Sequence, residues 1–528
     1  MKNKVLSILF FLLIPATVAI SQNWDWAIQT TLINDLKVSQ ADDNSVYATG
    51  VYKDSCRING VFIPGHPSKK SIIIFKLTSS GVLQWFETIH TYTEQVNSDV
   101  EGTNVYVAAT FSGAMTGIVS DSSYGNSYFI LGLSDAGNLL FYKSEAGTGS
   151  KWVNNMVVQN NRIYICGGYS GAGDISGDSL FPSYKNENFF AAYELNGTLS
   201  LLKEIIVDSA ASTANSIQSD PNGNIYVYGN FLSDVTIGNS DTTFFIDPMT
   251  HYPISTILKF DSTGSLLAFN DYVDGWFEGM VNFHETGDYS IRLLVDWGCN
   301  HCHTGTIITR VDSLSGMASW RYQEGSTLSS GWTPTPFMKP GDLAVTDNHI
   351  YVAGGFMGDH AVNTDSIHGE GMFLFKMDHD GTFTDVITTE GEILATDLSD
   401  FKNGAMIVSG RFRDTAIIGS HPLYGSSTDF SGFIAKYSEG PLAIGQSIYT
   451  IENICTIYPN PSTGSFNLSF RSPFTGTASL YDLTGKCIYS EKLINNKDKT
   501  FIFEKAPGMY LLRLNSYLNT ASFPLIIN

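Results

Sequence analysis

Apolar and polar residues alternate with period two over short runs along most of this chain, and the runs recur. The fullest form is an alternating strand, a turn with glycine, then a second strand. It reads IIIFKLTSSGVLQW (72–85), FILGLSDAGNLLF (129–141), FFAAYELNGTLSLL (189–202), ILKFDSTGSLLAF (257–269), IITRVDSLSGMASW (307–320), FLFKMDHDGTF (373–383) and FIAKYSEGPL (433–442). The turn glycines, Gly81, Gly137, Gly197, Gly264, Gly316, Gly381 and Gly440, are spaced 52 to 67 residues apart. Alternation predicts strands with Ile, Val and Phe on one face and polar residues on the other. Glycine supplies the positive φ of a tight hairpin. No stretch of useful length shows the 3.6-residue period of an amphipathic helix.

A second pattern precedes most copies, a strand ending in small residues: SVYATG (45–50), NVYVAA (104–109), RIYICGG (162–168), NIYVYG (224–229), HIYVAGG (349–355) and AMIVSG (405–410), with YSIRLLV (289–295) as a degenerate member. Small residues there permit close backbone approach where strands converge on an axis. A period near 60 leaves room for about four strands, the content of one propeller blade. Most copies continue past the turn into a further strand, but the seventh passes instead into GPLAIGQS. The stray N-terminal segment NWDWAIQT (23–30) supplies the missing strand, with Trp24 or Trp26 in the place of Trp85 and Trp320. The first and last repeats would thereby be joined, leaving no open seam.

This repeat resembles that of secreted bacterial seven-bladed β-propellers, with their IYVxG … FxxKxDxxG … W signature. The resemblance covers about residues 24–440 and implies an all-β fold, a seven-bladed β-propeller, with a β-sandwich array or β-solenoid as the competing architecture. Gly132 and Ala192 stand where other copies have Lys or Arg. A propeller by itself names no function.

Both ends of the chain add to this picture. Lys2 and Lys4, the apolar run Val5–Ile14, Pro15 and Ala19-Ile20-Ser21 have the three parts of a secretory signal peptide over residues 1–21. The run covers about half a bilayer as a helix, and no later apolar run reaches about 18 residues, so no integral membrane segment is expected after signal removal. At the other end, 441–452 reads as a linker, and 453–528 as an antiparallel β-sandwich of short strands. Tyr458-Pro459-Asn460-Pro461, Gly464 in a Ser-Thr-Gly turn, a YDLTGK hairpin with Gly485, PGMYLLRL with Gly508 and Tyr510, and a short apolar terminus follow in order. Together they resemble the type A C-terminal sorting domain of the type IX secretion system, an Ig-like module. That resemblance implies passage through the periplasm, recognition by type IX machinery at the outer membrane, removal of the domain, and release or surface attachment.

Charge narrows the partners. The formal net charge is −21, and without Lys2 and Lys4 it is −23. Residues from 441 onward hold seven Lys/Arg against five Asp/Glu, so the body of 22–440 carries −25. Such a body repels phosphate backbones, and nucleic acid is not an expected partner. Six cysteines, Cys56, Cys166, Cys299, Cys302, Cys455 and Cys487, are too sparse for a disulfide scaffold. Pairing of Cys455 with Cys487 stays open.

Candidate chemistry is thin. Cys299-Asn300-His301-Cys302-His303 matches the C-x-x-C-H pattern of haem attachment, and a disulfide, a Cys/His metal clip or a plain loop are its other readings. His284, Glu285 and Asp296 are a conceivable acid–base or metal group. Asp378-His379-Asp380-Gly381 looks like part of a calcium loop, but it occupies the same turn as Asp261-Ser262-Thr263-Gly264, which points to turn chemistry. No G-x-S-x-G, H-E-x-x-H or P-loop occurs. The expected protein is an exported or cell-surface propeller that binds glycan or protein. An extracellular polysaccharide-acting enzyme and a structural surface protein without a dedicated ligand are the alternatives.

Overall fold

A computed structural model describes residues 23–439 and 455–527 of the chain, apart from 94, 181–182, 208–211, 221, 232–233, 239–242, 245–253, 273–276, 284–288, 298–303, 313–317, 327–336, 347, 363–364, 400, 461, 463, 482–486, 503–507 and 516–519. Residues 1–21, expected from the sequence to be a signal peptide, lie outside the described residues. The chain divides into two compact units, 1–440 and 441–528. Every regular element among the described residues is a β-strand, and no helix is long and apolar enough to cross a membrane.

The first unit is a β-propeller. Its pairings form antiparallel four-stranded meanders, seven among the described residues. Blade 1 comprises the second half of Asn23–Gln40, then Val46–Ile58, Lys70–Leu77 and Leu83–Tyr92. Blade 2 comprises Val96–Glu101, Asn104–Gly117, Asp121–Leu133 and Leu139–Ser144. Blade 3 runs through Ser150–Gln159, Arg162–Gly171, Ser183–Glu194 and Leu199–Val207. Blade 4 runs through Thr213–Ser219, Ile225–Phe231, Ile254–Phe260 and Leu266–Tyr272. Blade 5 holds Phe277–Phe283, Tyr289–Trp297, Thr304–Asp312 and Ala318–Ser326. Blade 6 holds Phe337–Val345, Ile350–Met357, Glu370–Met377 and Phe383–Thr388. Blade 7 takes Ile393–Leu398, Ala405–Phe412 and Ser431–Ser438, and is completed by Asn23–Thr31. The first strand of each blade neighbours the first strand of the next, from blade 1 round to blade 7 and back to blade 1.

One strand therefore serves two blades. Asn23–Thr31 pairs with Ser431–Ser438 as the outer strand of blade 7, and Ile33–Gln40 pairs with Val46–Ile58 as the inner strand of blade 1. Trp26 lies opposite Lys436, as Trp85 lies opposite Lys76 and Trp320 opposite Arg310. Trp26 is thus the counterpart of Trp85. Trp24 instead enters the core between blades 6 and 7, edge-on to Tyr437 at 5.5 Å.

Burial departs from the one-faced alternation expected from the sequence. Ile72, Ile73, Ile74 and Phe75 are all fully buried. Ile72 and Ile74 pack toward Val105, Val107 and Phe129 of blade 2, whereas Ile73 and Phe75 pack toward Ile28, Ile407 and Ile434 of blade 7. A blade stacks on neighbours at both faces, so its middle strands have no solvent side. Each such side chain contributes roughly 1.5–3 kcal/mol, and the core is a set of seams between blades.

The small residues that end the second strands also have a specific neighbour. An added Cβ on Gly167, Gly354 or Gly410 would stand 1.9, 2.2 or 2.0 Å from the carbonyl oxygen of Trp152, Lys339 or Leu394. All three carbonyls belong to first strands, next to β-bulges. The close approach is therefore to the bulged inner strand, where any side chain would block pairing.

In blades 1, 2, 4 and 7 the connection between second and third strands leans back onto the preceding blade. Arg57 and Ile58 pair with Thr31 and Thr30, Thr116 with His90, Ile237 with Ile205, and Ile417 with Glu390.

The second unit is a five-stranded antiparallel sheet of Cys455–Tyr458, Ser465–Tyr481, Cys487–Ile502, Gly508–Asn515 and Thr520–Ile527. The long Ser465–Tyr481 strand is irregular between Ser469 and Gly476. Its first part pairs with Cys455–Tyr458 and its second with Gly508–Asn515. Phe466, Leu468, Phe470, Ala478, Leu480, Leu512, Leu514, Leu525 and Ile527 form one core at strict two-residue spacing. The sandwich expected here is built from a single continuous sheet.

Candidate functional site

The residues that make the repeat recognisable join blade to blade. In the copies whose turn is described, the turn closes with a glycine at φ of +80° to +89°, namely Gly81, Gly137, Gly197, Gly264 and Gly381, whereas Gly316 and Gly440 lie outside the described residues. The glycine N–H bonds back to the turn's first residue, as from Gly137 to Ser134 at 2.9 Å. At two of these turns an indole from the preceding blade lies on the glycine. Trp85 sits over Gly137, 3.1 Å from where a Cβ would be, and its Nε1 donates to Asp135 O at 2.9 Å. Trp26 does the same at Gly81, with Nε1 donating to Ser79 O at 2.9 Å. Phe141 occupies the equivalent place at Gly197.

The signature Tyr and Lys are used in the same seams. Tyr47 donates to Thr103 O at 2.6 Å, and the Lys76 ammonium lies 5.3 Å from the Tyr47 ring. Lys76 is 3% exposed and pairs with Asp135 and, at 3.6 Å, with Asp43. In blade 6, Lys376 and Tyr351 both meet Glu439 of blade 7. Burial opposes ionisation of Glu439, but hydrogen bonds from Lys376 and Tyr351 outweigh it and hold the carboxyl below its usual range. At Gly132, where the signature Lys is missing, a Cβ would collide with Phe141 at 2.8 Å. The cation is exchanged for an aromatic pair, with Phe141 and Tyr106 centroids 6.3 Å apart.

Around the inner strands lies a set of clips that sequence reasoning missed. Asp99 Oδ2 accepts from Val158 N at 2.7 Å, Asn155 Oδ1 from Ile217 N at 3.2 Å, Asp342 Oδ2 from Leu398 N at 2.8 Å and Asp397 Oδ2 from Val38 N at 2.7 Å. Each reaches from one first strand to the next blade's. The only sequence signal is an Asp or Asn in a first strand, which one-dimensional patterning reads as a polar outward position. At the junction of blades 6, 7 and 1, Lys37 Nζ donates to Asp397 Oδ1 at 2.9 Å. Asp342 as a residue keeps some exposure, yet its carboxyl is enclosed, and burial followed by the Asp397 charge raises its pKa, against a smaller opposing effect of Lys37. Both oxygens of each carboxylate already accept a hydrogen bond. The pair is built as a clip between strands.

Of the sites expected from sequence, Cys299, Cys302, His303, His284 and Glu285 lie outside the described residues. Asp296 is in a blade 5 strand, paired with Phe277 and Gly305. Asp378 bonds His349 Nδ1 at 3.2 Å, Asp380 Oδ1 accepts from Thr382 N at 2.9 Å, and Asp261 Oδ1 accepts from Thr263 N and Ser265 N at 2.9 Å. The carboxylates of Asp380 and Asp261 are turned into their own turns, and that of Asp378 is held by His349. Among the described residues no three His, Cys, Asp or Glu side chains gather as a metal group. Cys56 and Cys166 are buried free thiols, and burial pushes Cys56 up to about 12.

In the second unit, the segment after Tyr458 fastens onto the final strand. Asn460 Oδ1 accepts from Ile526 N at 2.9 Å, and Ser462 N donates to Ile526 O at 2.8 Å. Gly464 turns the chain at φ +102°. Tyr458 is 51% exposed. Gly508 pairs with Ile527, and Tyr510 packs on the core. Pro459 follows Tyr458 through a cis bond, whereas Pro461 and Gly485 lie outside the described residues.

The secretion system C-terminal sorting domain family matches residues 456–528. The protein is thus an exported all-β chain, a β-propeller carrying a type IX sorting domain. Its destination is the cell surface or the extracellular space, and the type IX machinery is an implied partner. No curated protein matches the chain. Among solved structures, it is similar to the β-propeller domain of the Trilobed protease from Pyrococcus furiosus (7% identity, 78% of this chain, 95% of that one, TM-score 0.40). It is also similar to a protein of unknown function from Bacteroides caccae (14%, 58% and 90%, TM-score 0.31). A mutant of Synechocystis apocarotenoid oxygenase matches at 12% identity over 70% of this chain and 94% of that one, with a TM-score of 0.33. Scores this low carry neither fold nor function across, and the propeller stands on this chain's own pairings.

Proposed function

We propose that the propeller is the binding module of this exported protein and that its ligand is a glycan or a protein outside the cell. The observation that carries the reading is a division of labour within each blade. The repeating polar and aromatic residues are spent on seams, while the second-to-third-strand hairpins differ in length and sequence from blade to blade. Those among the described residues leave the same end of the blades, because they make the same connection. They carry exposed aromatics, Phe62 at 54% and Tyr424 at 66%. Exposed aromatic rings on variable loops over a rigid scaffold suit recognition of sugars or protein surfaces.

The test is binding of the chain without residues 1–21 to arrays of soluble glycans, insoluble polymers and extracellular proteins, with and without chelator. Selective binding lost on substitution of Phe62 or Tyr424 supports the reading. No binding to any of them refutes it and leaves a structural role or an enzyme acting on a small substrate.

A further inference from the structure

We infer that blade 7 carries an oxyanion-reading site, built on Arg411, Arg413 and Phe430, for the carboxylate or sulfate group of an acidic glycan. This deepens the binding-module reading and rests on it.

Arg411 and Arg413 are two residues apart across the end of the second strand of blade 7, so both project to one side. Their guanidinium carbons lie 4.7 and 4.1 Å from the centroid of the same ring, Phe430. Two like charges on one ring repel unless anions offset them. Arg413 has its anion: its Nη1 is 3.1 Å from Glu392 Oε1. Its backbone N–H also donates to Glu392 O at 2.9 Å, and its Nε is buried. It is locked in place. Arg411 is exposed, stacked on the ring, and has no carboxylate partner among the described residues. A stacked guanidinium is pre-oriented with little rotamer freedom left to lose, and its outward fork matches the two oxygens of a carboxylate or sulfate.

The surroundings select the ligand class. The propeller body carries −25, and Glu392 and Asp429 flank the site, so a dense polyanion is repelled by the whole field. One oxyanion on an otherwise neutral polymer is not. The loop that brings Phe430 into place also carries exposed Tyr424, Ser426 and Thr428. Ser426 Oγ and Thr428 Oγ1 are 3.0 Å apart. An aromatic face, hydroxyls and a fixed guanidinium together are the groups that a sugar ring with one acidic substituent would use.

The experiment uses the full chain without residues 1–21 and titrates it with a largely methyl-esterified polygalacturonate that keeps sparse free carboxylates, its fully methyl-esterified neutral counterpart, a sparsely sulfated dextran, dextran, and a largely amidated polyglutamate of the same charge density. Expected are binding of the sparsely charged polygalacturonate or sulfated dextran at least about tenfold tighter than the neutral counterpart, and a loss of about tenfold in Arg411→Ala. Arg411→Lys, which keeps charge but loses the fork, should lose a smaller share. Whichever polymer binds identifies the oxyanion as carboxylate or sulfate. The inference is overturned if neither acidic polymer binds, if the neutral counterparts bind equally, or if Arg411→Ala leaves affinity unchanged. Equal or tighter binding of polyglutamate assigns the site to acidic protein and also overturns it. Binding of neutral glycans indifferent to Arg411 would sink this site alone, whereas failure to bind any glycan or protein would sink the binding-module reading with it.

Discussion

Closure of the propeller by its N-terminal strand can be tested with a matched pair of substitutions. Trp26 and Trp85 make the same contacts in different seams. Each indole lies on a turn glycine of the next blade, and each Nε1 donates to a turn carbonyl at 2.9 Å. Replacing either by Ala removes one hydrogen bond, about 1 kcal/mol. It also removes the packing of a half-buried indole, about 1–2 kcal/mol after discounting its exposed part. The expected destabilisation is roughly 2–3 kcal/mol for each and nearly equal for the two. Denaturant midpoints followed by far-ultraviolet circular dichroism measure this without depending on the deleted fluorophores. Midpoints are compared rather than extrapolated free energies, since a chain of two units need not unfold in one step. If Asn23–Thr31 were a loose terminal tail, Trp26→Ala would cost less than about 0.5 kcal/mol, the level of a surface change. A silent Trp26→Ala beside a damaging Trp85→Ala would therefore refute the closure.

Other outcomes follow from the same geometry. Gly137→Val places a β-branched residue at φ +80° against the Trp85 ring, at a cost of about 1–3 kcal/mol, read from the same denaturation midpoints. Asp342 has its carboxyl pushed up to about 7 in the folded protein, against about 4 in an unfolded chain. Stability from this group is full below pH about 4 and is lost as pH rises toward 7, so midpoints should fall over that window and Asp342→Asn should flatten the fall; equal pH profiles for the two proteins would count against the enclosed carboxyl. Removing residues 453–528 should leave the protein in the periplasm, detected by fractionation of the producing cell, and continued appearance outside would contradict the role of the sorting domain.

Much of this fold was legible because propeller blades obey local rules. Gly81, Gly137, Gly197, Gly264 and Gly381 are forced by turn geometry, and a turn announces itself within five residues. The closing strand was legible as an absence, since the seventh copy stops after its turn while NWDWAIQT is left without a partner. Burial on both faces was not, because alternation describes a sheet with one wet side, and IIIF reads the same whether its second face meets water or another blade. The inner clips were hidden for a related reason. Asp99, Asn155, Asp342 and Asp397 act across gaps of about 56 to 62 residues, or across the whole chain for Asp397 and Val38, distances at which single-sequence patterns carry no signal.

A repeat can only repeat what every seam requires. Tyr47, Lys76 and Trp85 recur in other copies because each blade must be fixed to the next, and where the requirement can be met another way, as by Phe141 against Gly132, the signature changes without loss of the blade. Residues that serve a ligand are needed at one or two blades and therefore cannot appear in the period. The search for function belongs in the departures from the repeat: Arg411 and Arg413 follow the small-residue end of the second strand of blade 7, AMIVSG, and both lie over Phe430 at the end of that blade's own second-to-third-strand connection. The sequence motif that names this fold is for that reason silent about what the fold holds, and the charged, aromatic exceptions to it are where binding should be measured.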